Sequence, residues 1–425
     1  MNFDFLPDNL RNILDLVRQV DDGEVVMQNP DWVEFYKFVS RSSLAAYFYP
    51  KIKNLSASVP ENIQKDFKNA YLFNLIRNTR FINQAKKIFA DLFSAGIPVI
   101  VLKGMFLAQK VYSDISQRQM ADIDVLVQRK DFLRTIEIIK KHGFEDFKEM
   151  ILENILHENS GVNAVHLRKS GFFNIDLHFS HINDLVVSEV ASEEEKLIWT
   201  RSQKTDFSGI PIYQLSIEDL LLHVCLHATN HHFLHGVPVR FLFDVSEILR
   251  KFGSEIDWTQ LIKRSELYKR KNALYLSLYM TSMMTSAKVP EKILAELRPQ
   301  EDCDDYLKHT CAKMFNNVEY SDPFLQRPYL SELRKADSES SSGIFNKIRL
   351  LSSRVFLPVE QMIAKYPVKK KSIKIYYYYG LRFIEIFKNN GFDKTVSFLR
   401  SFISGKGRNK QVVIKEEALH SFLMR

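Results

Sequence analysis

Residues 97–131 read IPVIVLKGMFLAQKVYSDISQRQMADIDVLVQRKD, and this stretch constrains the fold more than any other. Residues 97–102 are a short, continuous apolar run of the kind that forms a buried strand. Lys103-Gly104 interrupts it, and the segment that follows, to about Tyr112, is compatible with a helix. Asp122–Val127 then predicts a second strand. Side chains alternate between the two faces of a strand, so Asp122 and Asp124 stand side by side on one face. Burying a strand that carries two carboxylates costs several kcal/mol unless a cation neutralises them, and a divalent metal is the natural partner.

The flanking sequence completes the unit. Residues 130–142 have helical spacing, with Phe132, Leu133, Ile136 and Ile139 inward and Gly143 where a left-handed residue is wanted. Apolar runs at 162–167 and 172–179 flank Lys169-Ser170-Gly171, a hairpin signal that delivers Asp176 and His178 on one face of its second strand. Upstream, residues 6–95 repeat apolar side chains at intervals of three and four, which predicts helices throughout. After Gly209-Ile210-Pro211 the pattern turns helical again, opening on Ser216 and Asp219 as a capping box and continuing to about Phe315. The serine-rich residues 335–343, KADSESSSG, read as an exposed linker. The expected organisation is therefore a helical N-terminal region (1–95), an αβ core (96–212), a helical domain (213–334), the linker and a basic, aromatic C-terminal region (344–425). In class terms this is α+β, a small mixed sheet with flanking helices.

At 425 residues and 45% hydrophobic, the chain can build two to three cores. No apolar run approaches the roughly 18 residues of a membrane span, and the N-terminus lacks the basic-then-apolar order of a secretion signal. We read the protein as cytoplasmic, with no membrane partner. Cys225, Cys303 and Cys311 form no CxxC pair and argue against a disulfide framework. The formal charge of +8 favours contact with a polyanion or a phosphate-bearing ligand, although solvated surfaces also carry such a balance. No internal repeat of 20–50 residues is evident.

Asp122, Asp124 and Asp176, preceded by a strand that ends at a glycine turn, resemble in their order the DNA polymerase β-like nucleotidyltransferase superfamily. More narrowly, Lys103, Gly104, Tyr112, Arg118, Asp122 and Asp124 match the pattern of an uncharacterised bacterial nucleotidyltransferase family, and the likeness extends through Asp176 and through residues 227–249. The resemblance implies a nucleotidyltransferase core that moves an NMP group from a nucleoside triphosphate such as ATP to a hydroxyl, releasing pyrophosphate. It implies Mg2+ or Mn2+ held by Asp122, Asp124 and Asp176, with Asp176 helping to deprotonate the acceptor. Two ions about 3.5–4 Å apart neutralise the triphosphate and activate the hydroxyl in such chemistry, and magnesium prefers oxygen ligands. Acceptors across the superfamily include RNA ends, small molecules and protein side chains. Here the acceptor is open.

The superfamily usually has a glycine followed by a small polar residue where this chain has Lys103-Gly104. A lysine supplies a point charge for phosphate instead, Gly104 and the backbone amides at the following helix N-terminus add anion contacts, and Arg118 is a second phosphate-binding candidate. The plain alternatives are a strand-ending lysine in solvent and a surface salt bridge. His178, His227, Arg240 and Asp244 are candidates for substrate contact, Asp244 being equally able simply to pair with Arg240. His223, His227 and His231 share a helix face, with His232 and His235 nearby, but the glutamate of an HExxH zinc motif is missing. The C-terminal run AKYPVKKKSIKIYYYYGLRF joins Lys365, Lys369, Lys370, Lys371 and Lys374 to Tyr376 through Tyr379. Such a run binds single-stranded RNA in some proteins and is a solvated loop in others. Two other functions stay open: an RNA-modifying, toxin-like nucleotidyltransferase, and a nucleotide-binding pseudoenzyme without turnover.

Overall fold

The structure, a computed structural model, describes residues 8–145, 164–179, 196–229 and 239–300, together with 306, 310, 372, 374–379 and 381. The predicted linker, Cys303, Cys311, His231, His232, His235 and most of the C-terminal lysines lie outside the described residues. The chain divides into two compact units. One holds residues 1–145, 164–318 and 419–425, the other residues 146–163 and 319–418. In the second, residues 374–379 are helical, and the rings of Tyr377 and Tyr378 meet edge to face at 5.4 Å.

The first unit opens, as the spacing predicts, with helices α1 (Asp8–Asp22), α2 (Trp32–Arg41), α3 (Ala45–Asn54) and α4 (Glu61–Ser94). Gly96, at φ +70°, turns the chain out of α4 into β1 (Val99–Val101). Then come α5 (Lys103–Lys110), β2 (Asp122–Val127) and α6 (Phe132–Lys141). The expected hairpin is β3 (Ala164–Leu167) and β4 (Asn174–His178), turning at Gly171 with φ +75°. A second hairpin, β5 (Gln203–Phe207) and β6 (Ile210–Gln214), escaped the sequence reading. Its outer strand carries mostly polar side chains, so hydrophobic periodicity does not mark it.

The six strands form one mixed sheet in the order β3-β4-β2-β1-β6-β5. β2 runs parallel to β4 and antiparallel to β1, while β1 runs parallel to β6. One face of β2 and β4 is apolar: Ile123, Val125 and Ile175 pack with Ala85, Ile88, Phe89 and Leu92 of α4 and Ile139 of α6. Four further helices that enter the site's surroundings follow: α7 (Ile217–His227), capped by Ser216 accepting from the Asp219 amide, α8 (Arg240–Phe252), α9 (Trp258–Leu267) and α10 (Lys271–Met284). Among the described residues no helix is long and apolar enough to cross a membrane.

Aromatic contacts join the N-terminal helices to α8. Tyr47 and Phe48 of α3 both meet Phe243 edge to face, and Tyr47 also meets Tyr112. Beside them Asp21, 3% exposed, accepts from the Tyr47 hydroxyl at 2.7 Å and the Ser286 amide at 2.9 Å, and pairs with Arg250 and Lys51. Burial raises the Asp21 carboxyl, but Arg250 and Lys51 outweigh it and hold the group below its ordinary 3.8. Removing one partner of such a pair strands the other's charge. Asp21→Asn is therefore expected to cost about 3 kcal/mol in denaturant unfolding, at the low end because Arg250 keeps some solvent contact. The wild-type advantage over Asp21→Asn should be complete above 3.8 and shrink as the pH falls from there toward the depressed folded value.

Candidate active site

The sheet register assembles the site. Asp122 lies opposite Asn174, Asp124 opposite Asp176 and Leu126 opposite His178. In the hairpin, His166 lies opposite Asp176. Directly opposed residues project to the same side, so Asp122, Asp124, Asp176, His178 and His166 share the face turned away from the α4 core. Three carboxylates thus sit on two neighbouring parallel strands.

Cations meet two of them. Leu102 donates its amide to the Asp124 carbonyl at 2.9 Å, which extends the β1–β2 ladder and sets Lys103 beside Asp124. The Lys103 ammonium lies 2.8 Å from Asp124 Oδ1, and His178 Nε2 lies 3.2 Å from the same oxygen. Burial pushes the Asp124 carboxyl up, yet Lys103 and His178 prevail and hold it well below the usual carboxylate range. Asp176 Oδ1 is 2.6 Å from His166 Nδ1, and that bond raises the imidazole above its ordinary 6.5. Asp122 has no ion pair among the described residues. Burial and the negative charges of Asp124 and Asp176 raise its carboxyl, against the pull of Lys103 and Arg118.

A buried ion pair fixes the chain that leads into β2. Arg118 grips Asp244 of α8 through two 2.8 Å bonds, from Nε to Oδ1 and from Nη2 to Oδ2, and the Tyr112 hydroxyl donates to Oδ1 at 2.7 Å. Asp244 is fully buried, so the pair is an internal one and not the surface bridge considered for Arg118. Burial disfavours the guanidinium, but Asp244 more than compensates and raises Arg118. Asn78 of α4 donates to the Arg118 carbonyl at 2.8 Å, and Asn74 to the Ser116 carbonyl at 3.1 Å. Asp244 therefore serves Arg118 and not Arg240, the partner considered for it. Arg240 donates from Nη1 to the Gln119 carbonyl at 3.2 Å, while its Nε is buried with no hydrogen-bond partner. Burial first, and then repulsion from Arg118, pull it down to about 10.

Gly104 sits under Arg118: a β-carbon there would lie 2.9 Å from Nη1. His227, the last residue of α7, meets the Phe241 ring edge to face at 5.3 Å. Two residues near the acids escaped the sequence reading. His166 was legible in principle, because counting back from the hairpin turn places it across from Asp176. Arg77 was not. It projects from α4, lies over the Phe81 ring at 5.3 Å, and is lowered by burial but raised by the charge of Asp122. Among the described residues no group of three or more His, Cys, Asp or Glu side chains converges closely enough to hold a metal ion as the side chains stand.

Fold and site together define an α+β protein whose mixed sheet presents three acids on one face, with a lysine from the start of α5 set against one of them. Residues 28–286 match the family described as uncharacterised nucleotidyltransferase, well over half of the chain, and the protein belongs to that family. A solved structure, an antigenic nucleotidyltransferase-like protein from Paracoccidioides brasiliensis, is 15% identical and covers 46% of this chain and 91% of its own, with a TM-score of 0.26. That likeness is too slight to bear on the site. No curated protein matches the chain.

Gly104 cannot accept a methyl group cheaply, because the guanidinium above it is locked to Asp244. Gly104→Ala is expected to lower stability by about 1–3 kcal/mol in denaturant unfolding, the usual cost of overpacking. A neutral result would show that Arg118 yields.

Proposed function

We propose that the protein transfers a nucleotidyl group from a nucleoside triphosphate to a hydroxyl acceptor, with Asp122, Asp124 and Asp176 as the acids of the reaction. The observation that carries this reading is the Asp124–Asp176 register of β2 and β4, which puts all three carboxylates on one face. The donors are all carboxylate oxygens, the type that Mg2+ or Mn2+ prefers, but with Lys103 on Asp124 they do not converge on an ion as the side chains stand, so binding one requires them to rearrange. Burial first, and then the charges of Asp124 and Asp176, raise the Asp122 carboxyl, and no ion pair among the described residues offsets them. When bound by these acids, such ions would neutralise the triphosphate and polarise the reacting oxygens.

The chain's own residues supply the rest. Asp176 takes the proton of the attacking hydroxyl, and His166 on Oδ1 orients that carboxylate. The acceptor oxygen bonds to the α-phosphorus, the bond to the β-phosphate breaks, and pyrophosphate leaves. Arg77 and Arg240 form no ion pair among the described residues and stand within electrostatic range of Asp122. They serve as phosphate contacts, charge-assisted donors being the strong ones. Arg118 acts indirectly, holding Gly104 and the approach to β2 in place. A second reading, a nucleotide-binding protein without turnover, draws support from the Lys103 ammonium on Asp124.

Incubation with each α-labelled triphosphate, Mg2+ or Mn2+ and host extract separates the readings. Label is expected on a small-molecule, RNA or protein fraction with the wild type, and at least about 100-fold less with Asp122→Asn or Asp124→Asn, the scale set by losing one electrostatic group of a reaction centre. Metal-dependent triphosphate binding without transfer would favour the second reading. Arg77→Ala and Arg240→Ala should each raise the KM for triphosphate about tenfold, or about 1.4 kcal/mol, with smaller changes in kcat.

A further inference from the structure

Asp124 is served twice at one oxygen, by Lys103 and His178, whereas Asp122, two residues away on the same face, pairs with nothing among the described residues. Lys103 has no other carboxylate there, and its side chain is 12% exposed. Its backbone is held at φ +38°, a conformation that residues with a β-carbon rarely adopt, between the strand amide of Leu102 and the first turn of α5. The chain thus accepts backbone strain to place one ammonium on one carboxylate. Lys103 and the two histidines answer Asp124 and Asp176 and leave Asp122 without a cation of its own among the described residues.

We propose that Lys103 is a resident counter-ion of Asp124, which a divalent cation must exchange out, and which then pairs with the phosphates of the incoming nucleotide. This rests on the metal-dependent reading above. A divalent ion shared by adjacent carboxylates interacts with them more strongly than an ammonium does. The displaced ammonium then needs an anion, and its four-carbon stem lets it swing to one. Metal alone must strand Lys103, so metal binds weakly, whereas metal with triphosphate satisfies every charge. The coupling is reciprocal: each ligand strengthens the other by the same factor.

Mn2+ binding to the full chain, followed by electron paramagnetic resonance, tests the exchange. The wild type should bind Mn2+ at least about tenfold more tightly with α,β-methylene-ATP than without it, and Lys103→Met should bind Mn2+ alone about tenfold more tightly than the wild type while losing most of the coupling. The exchange is overturned, with the metal reading intact, if the wild type binds Mn2+ and Lys103→Met binds it no more tightly. If neither protein binds Mn2+ even with the nucleotide, the metal reading falls and takes the exchange with it. Should Lys103→Met not fold, the wild type suffices: saturating Mn2+ alone should increase acylation of the Lys103 amine several-fold by mass spectrometry, and unchanged labelling would overturn the proposal.

Discussion

The buried pair of Arg118 and Asp244 is the contact on which the site depends. It joins residues 126 positions apart in sequence, and its two parallel bonds fix both distance and angle. Two charges removed from water are costly, and this pair is tolerable because Tyr112 adds a third bond to the carboxylate. The loop before β2, the glycine at the start of α5 and the first turns of α8 all inherit their positions from it. Asn74 and Asn78 hold the same loop from the α4 side. The acids are therefore presented by a strand whose entrance is clamped from two directions.

Charge balance explains the composition of the surrounding residues. An apolar sheet cannot carry three carboxylates on one face unaided, and the chain responds with Lys103 on Asp124, His178 on the same oxygen and His166 on Asp176. Beyond them Arg77 and Arg240 add positive charge that no carboxylate of the described residues claims. The mixed sheet of this nucleotidyltransferase family member therefore carries its acids with their countercharges drawn from the neighbouring strands and helices.

The two histidines and two arginines differ in how far a linear reading reaches. His178 follows from strand alternation, since it is two residues from Asp176. His166 needs the hairpin register, which the turn at Gly171 sets. Arg240 is noticeable only through likeness to a family pattern, and its unpartnered Nε is a property of packing. Arg77 belongs to a helix whose neighbouring turns look like ordinary amphipathic surface, and only the crossing of α4 near the β2 entrance brings it within reach of Asp122.

What the sequence by itself determined is local. Apolar spacing defined the N-terminal helices, the glycine turns marked strand ends, and alternation put Asp122 and Asp124 on one face, because these patterns depend on backbone geometry within a few residues. The tertiary structure decided the rest. It placed β4 beside β2 so that Asp176 joined the pair, gave Asp244 to Arg118 in preference to the nearer Arg240, and set Lys103 on Asp124. Partner choice among charges depends on burial and on angles between elements far apart in the chain, and no spacing along one segment encodes those.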